Sequence, residues 1–129
     1  MKHLATIAGV LLGLLFVFAA VMVLFDLAPE QPAPPEGSAV AHFMAAFAPT
    51  GYLTFVKILE LVGGILVAVP RTRNLGLLVL GPIIVNILAF HVFVTKWHGL
   101  ASPMLIAIVV LALFLLWCER KAFGGLLVR

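Results

Sequence analysis

Charge is the scarcest property of this sequence. Only 10% of its 129 residues are Asp, Glu, Lys or Arg, while 64% are hydrophobic. An ordinary soluble domain has about 25% charged and about 45–50% apolar residues. A mean hydropathy of +1.27 does not suit a soluble fold of this length, because small domains keep much of their surface wet. A soluble enzyme and a disordered tail are excluded on these grounds. Cysteine is nearly absent too. Cys118 stands alone, so no internal disulfide can form, and a small disulfide-stapled secreted domain is excluded. Any mechanism needing two cysteines in one chain falls with it. There is no CxxC, no Gly-rich phosphate loop and no Ser/His/Asp set.

What the chain has instead is long apolar runs. A spanning helix needs about 20 apolar residues to cross a hydrocarbon core of about 30 Å. Four stretches qualify, at about residues 4–25, 52–69, 75–94 and 100–118. The first carries no charge. The second is apolar except for Lys57 and Glu60, and the third is interrupted by Pro82, Asn86 and His91. The breaks are distinct. Residues 26–38 read DLAPEQPAPPEGS, and their prolines favour an extended, solvated loop. Residues 70–74 form a tight basic turn, residues 95–99 make the third connection, and Pro103 suits a helix start. Short turns force neighbouring helices to run antiparallel. The expected fold is therefore an all-α, integral-membrane, up-down four-helix bundle, with residues 1–129 as a single transmembrane domain. Residues 39–48 are apolar but too short to cross, and Gly37-Ser38 and Pro49 flank them. They read as a short extra helix in the first outer loop, lying in the interface and covering the mouth of whatever the bundle encloses.

Basic residues orient such a bundle. With four spans, Lys2, Arg71, Arg73, Arg120, Lys121 and Arg129 share one side, and Lys96 joins Asp26, Glu30 and Glu36 on the other. The positive-inside rule then places both termini in the cytoplasm. These cations are juxtamembrane anchors, so the lipid bilayer is the implied partner and nucleic acid is not. Lys2 before an apolar run resembles a signal peptide, but the run is long for one and no good Ala-x-Ala site follows, so the expectation is a retained span.

Ionisable groups inside a span cost a few kcal/mol and usually face a partner. Lys57 and Glu60 are three apart, on one helical face, where they can pair. Counted from the outer end, Glu60 and Asn86 lie about 12 Å deep, Lys57 about 7–8 Å and His91 about 4–5 Å. If the second and third spans pack face to face, a polar cluster forms in the outer half. Asn86 and His91 are five apart, about 140° around an ideal helix, and a kink at Pro82 is one way to bring them together. Lys57, Glu60, Asn86 and His91 are thus candidates for a ligand-binding or proton-linked site. Simpler roles stand beside that one. Lys57–Glu60 can be a folding lock, Asn86 a bond between helices and His91 a snorkelling side chain. His42, His91 and His98 can approach one another on the outer side, but no pair has helical ligand spacing, so no metal site is expected. The small residues Ala5, Gly9 and Gly13 recur every four positions, a stripe that suits internal packing, with a dimer face as the other use. Cys118, at the end of the last span, reads as inert or lipidated.

From Tyr52 to Val94 the pattern resembles the DoxX family of small bacterial membrane proteins. The matching features are Lys57-x-x-Glu60 followed by Gly63-Gly64, the Pro70-Arg71 turn, Pro82, Asn86 and His91. The resemblance implies a four-span protein of the bacterial cytoplasmic (inner) membrane, similar to a subunit of a thiosulfate:quinone oxidoreductase. Some members are linked to thiol and oxidative-stress systems, and many have no assigned activity. The bundle also resembles the vitamin K epoxide reductase and DsbB type, whose cysteine pairs are missing here. Two expectations follow. The chain is a redox-linked membrane subunit binding a quinone or isoprenoid lipid among Lys57, Glu60, Asn86 and His91, with no catalytic residue assignable. Alternatively it is a non-enzymatic scaffold or accessory subunit for a partner oxidoreductase. An oligomer is compatible with either.

Overall fold

The computed structural model describes residues 2–27, 29, 33–97 and 102–127. Glu30, His98, Leu100 and Arg129, to which the sequence gives a place, lie outside the described residues. Helix α1 runs Lys2–Leu24, α2 Ala39–Phe47, α3 Tyr52–Ala68, α4 Arg73–Ala89, α5 Pro103–Cys118 and α6 Arg120–Gly124. Short 3₁₀ turns at Ala48–Thr50, Pro70–Thr72 and Gly125–Leu127 link or end them, and α4 continues as a π-helical stretch at Phe90–Val94. No strand occurs among the described residues.

Two helical runs are long and apolar enough to cross a membrane, Lys2–Leu24 and Pro70–Val94. Two bent pairs raise the number to four if each is one span: Ala39–Thr50 with Tyr52–Ala68, bent by 81°, and Pro103–Cys118 with Arg120–Leu127, bent by 73°. The first bend turns on Gly51, whose φ of 83° suits a residue without a side chain. The Thr50 hydroxyl accepts from the Tyr52 amide at 3.2 Å and starts α3 there. Ser38 caps α2 in the same way, accepting from the Ala41 amide at 3.1 Å. The short helix expected over 39–48 is thus present as α2.

Two expected boundaries move. The run expected from 75 starts at Arg73, and Pro82 sits inside a continuous helix rather than breaking it. The last helix begins at Pro103, not 100, because Pro103 fills the first position, where its missing N–H costs nothing.

The core is built from helical stripes. Ala5, Ala8, Leu12, Phe16 and Ala20 of α1 are buried, with Leu77, Leu80 and Ile84 of α4 and Leu105, Ile108, Ala112 and Leu115 of α5. The opposite face of α1 is just as apolar: Leu4, Ile7, Leu11, Leu14 and Phe18 are all exposed. In water each would forgo about 1.5–3 kcal/mol of burial, so this all-round apolarity fits lipid. α1 and α3 run antiparallel, with Gly13 against Gly64 and Gly9 against Val67. α3 and α4 do the same, with Gly63 against Leu80 and Gly76 against Val67. α5 lies along α1, Leu111 near Leu14 at one level and Trp117 near Lys2 at the other. The glycine stripe of α1 therefore serves packing within the chain.

A methyl group at Gly13 would meet the Gly64 carbonyl oxygen and Ala68, and one at Gly76 the Val67 backbone, whereas Gly124 has open space around it. Backbone cannot step aside as a side chain can. Gly13→Ala and Gly76→Ala should each lower stability by about 1–3 kcal/mol, and Gly124→Ala should change it by less than about 0.5 kcal/mol. Thermal unfolding in mild detergent checks the contrast.

Candidate functional site

The antiparallel pairing of α3 and α4 brings Lys57 and Glu60 beside Asn86 and His91. All four line one cavity of about 310 Å³. Phe43 and Met44 of α2, Tyr52 at the start of α3 and Phe90 complete much of its wall. The α2 helix is tied over the site by ring contacts: Phe43 meets Phe90 with centroids 4.9 Å apart, and Phe47 meets Tyr52 at 4.9 Å. The apolar segment expected to cover a mouth thus supplies part of the wall.

Glu60 is the buried member, only 3% exposed. Lys57 Nζ lies 2.9 Å from Glu60 Oε2. The Lys57 side chain keeps 26% of its surface accessible against 4% for Glu60, so the ammonium faces the cavity side while the carboxylate is enclosed. The two charges offset each other, which makes the carboxylate tolerable there. No hydrogen bond of good geometry reaches Glu60 Oε2, so the ion pair leaves hydrogen-bonding capacity on a buried oxygen. Asn86 is exposed on α4 and lines the cavity from the facing helix.

His91 sits where the helix changes its winding. The π-helical stretch at Phe90–Val94 closes with the Thr95 amide bonded to the Phe90 carbonyl at 3.1 Å. The turn from Asn86 to Phe90 is still α-helical, with the Phe90 amide bonded to the Asn86 carbonyl, and both Asn86 and His91 border the same cavity. Just beyond, Lys96 and Trp97 both have left-handed φ, 54° and 76°, costly for residues with side chains. Departures of this kind gather at functional sites. His91 Nδ1 lies 2.8 Å from the Ile87 carbonyl oxygen. A carbonyl can only accept, so Nδ1 carries a proton, and Nε2 is the ring nitrogen left for a ligand. The Thr95 hydroxyl donates to the His91 carbonyl at 2.8 Å and steadies the same turn.

The aromatic wall was partly readable in advance. Tyr52, Val56 and Glu60 repeat every four residues on one face of α3, and Phe90 follows Asn86 by four. What no pattern announced is Arg73. Expected as one of the juxtamembrane anchors, it is 6% exposed and belongs to a second polar recess at the far end of the helices. A larger recess of about 600 Å³ between residues 34–40 and 94–96 holds no buried charged group.

The chain is similar to the uncharacterised protein YwoB of Bacillus subtilis (strain 168), 29% identical over 116 residues, covering 86% of this chain and 73% of that protein. It matches no protein-family model, and no solved structure matches it.

Lys57→Met strands a buried carboxylate and should cost about 3–5 kcal/mol. Glu60→Met strands a more accessible ammonium and should cost less. The double variant should recover much of the loss. Stability of the four proteins in detergent closes the cycle, and additive losses would mean that the pair is not coupled.

Proposed function

We propose that this chain is a DoxX-like, four-span protein of the bacterial inner membrane that binds a quinone or related isoprenoid lipid in the cavity between α2, α3 and α4. The convergence of Lys57, Glu60, Asn86 and His91 on one cavity with aromatic walls carries this reading. In the proposed arrangement α1, α3, α4 and α5 cross the bilayer up and down. The 81° bend at Gly51 then lays α2 nearly flat across the outer mouth. Both termini are cytoplasmic, because Lys2, Arg71, Arg73, Arg120 and Lys121 gather on that side.

The residues present fit such a ligand. A cavity of about 310 Å³ is at the small end of ligand pockets and suits a headgroup whose tail extends into lipid. Phe43, Tyr52 and Phe90 offer apolar faces, and polar groups are few. A bound quinone supplies reversible uptake of electrons and protons. The chain's own groups handle position and protons. Asn86 donates from its amide to a carbonyl oxygen. Glu60 takes or releases a proton, and Lys57 lies beside it as counter-charge. His91, with Nδ1 engaged by Ile87, accepts at Nε2 from a hydroxyl. Asn86 and His91 thus have opposite preferences for carbonyl and hydroxyl.

Cys118 favours a second reading. It lines the recess at the other end of the molecule, away from Lys57 and Glu60, so thiol chemistry at the cavity would have to come from elsewhere. In that reading the chain is an accessory subunit, and Lys57–Glu60 is a lock that holds α3 in register.

An organic extract of the purified protein, compared by mass spectrometry with a mock purification, separates the two. A near-stoichiometric quinone or isoprenoid lipid, lost in Glu60→Gln and Asn86→Ala while folding is kept, is the expected result. A stable protein that carries no such lipid and binds no added quinone overturns the ligand reading in favour of the accessory one.

A further inference from the structure

The recess at the opposite end has a different chemistry. It measures about 510 Å³, and Lys2, Thr6, Arg73, Trp117, Glu119 and Arg120 are among the residues that line it. Three cations face one carboxylate there. Two of the cations are fixed in place. The Arg73 side chain is 7% exposed, with Nη1 3.6 Å from Glu119 Oε1 and Nη2 donating to the Thr6 hydroxyl at 3.3 Å. Its Nε is buried without a hydrogen-bond partner. The space for it comes from α1, since a side-chain carbon at Gly9 would sit 3.0 Å from that Nε. Arg120 lies over the Trp117 ring at 3.9 Å and donates from Nη1 to the Trp117 carbonyl at 2.8 Å. Lys2 and Arg120 are exposed at the rim. Pro70, at the start of the 3₁₀ turn that runs into α4, lines the recess as well.

A guanidinium already held by packing loses little freedom when it binds, and its planar fork matches phosphate oxygens. The single carboxylate neutralises one cation of three, leaving an excess of two positive charges around the recess. A salt bridge serving only to hold α4 to α5 needs neither the stacked Arg120 nor Lys2.

We infer that this recess is a binding site for a phosphate-bearing anion, with Arg73 as the buried anchor and Lys2 and Arg120 as the rim. The inference is independent of the quinone reading and of which leaflet this end faces. Two sources carry the chemistry: the headgroup of an anionic phospholipid, and a water-soluble phosphate compound. The position at one end of apolar helices puts headgroups within reach.

The test uses the full chain in an uncharged detergent. Thermal unfolding and native mass spectrometry follow binding of phosphatidylglycerol, phosphatidylcholine and glycerol 3-phosphate. The expected result is one retained phosphatidylglycerol and a raised melting temperature, both weakened by salt. A like effect from glycerol 3-phosphate assigns the site to soluble phosphates instead. Lys2→Gln with Arg120→Gln alters exposed residues only and should weaken binding at least about tenfold, or about 1.4 kcal/mol. Glu119→Gln separates a site from a mere clasp, because it removes the competing carboxylate. It should lower stability yet tighten binding. Equal binding by wild type and the Lys2/Arg120 variant, or no response to either anionic probe, overturns the proposal, as does weaker binding in a folded Glu119→Gln protein.

Discussion

Apolar side chains gain little from meeting one another in lipid, so helices there are held by close backbone approach and by bonds between polar groups. The contact of α1 with α3 through Gly13 and Gly64 is the constraint on which the rest depends. It sets the level of α3 against α1, and Gly76 against Val67 carries the same close spacing on to α4. Only with α3 and α4 at this distance do Glu60 and Asn86 face one cavity. A larger side chain at these seams would separate the polar groups before it disturbed any of them directly.

The two ends of the molecule use charge in different ways. At one, a carboxylate is enclosed and its ammonium partner remains accessible. At the other, a guanidinium is enclosed, and its carboxylate partner, Glu119, is 28% exposed. The enclosed group is thus negative among Phe43, Tyr52 and Phe90, and positive among Lys2, Thr6 and Arg120. Each end keeps its buried charge paired, as a low-dielectric surrounding requires, and the two buried charges have opposite sign.

Much of this was written in the sequence. Runs of apolar residues located α1, α3, α4 and α5 within a few positions, because long apolar stretches bounded by prolines and basic turns mark helices. The three-residue spacing of Lys57 and Glu60 announced their pairing, and matched depths announced the approach of Asn86. Other features were hidden for physical reasons. The π stretch at Phe90–Val94 leaves no signature in residue type, since it differs from an α-helix by one bonding step. Pro82 is accommodated inside a continuous helix. Arg73 looked like any basic residue after a turn. Its burial depends on Gly9, more than sixty positions earlier, and no local pattern couples the two.

The pairing of Lys57 with Glu60 has an electrical consequence. While both are ionised the pair is neutral as a whole, and a transmembrane voltage exerts almost no net force on it. Replacing one partner, as in Glu60→Gln, leaves the neighbouring ammonium uncompensated, and the pair changes from neutral to singly positive. Moving one elementary charge through the full field costs or yields about 2.3 kcal/mol per 100 mV. In an energised membrane, a substitution at either position would therefore expose the cavity to a voltage that the intact pair scarcely feels.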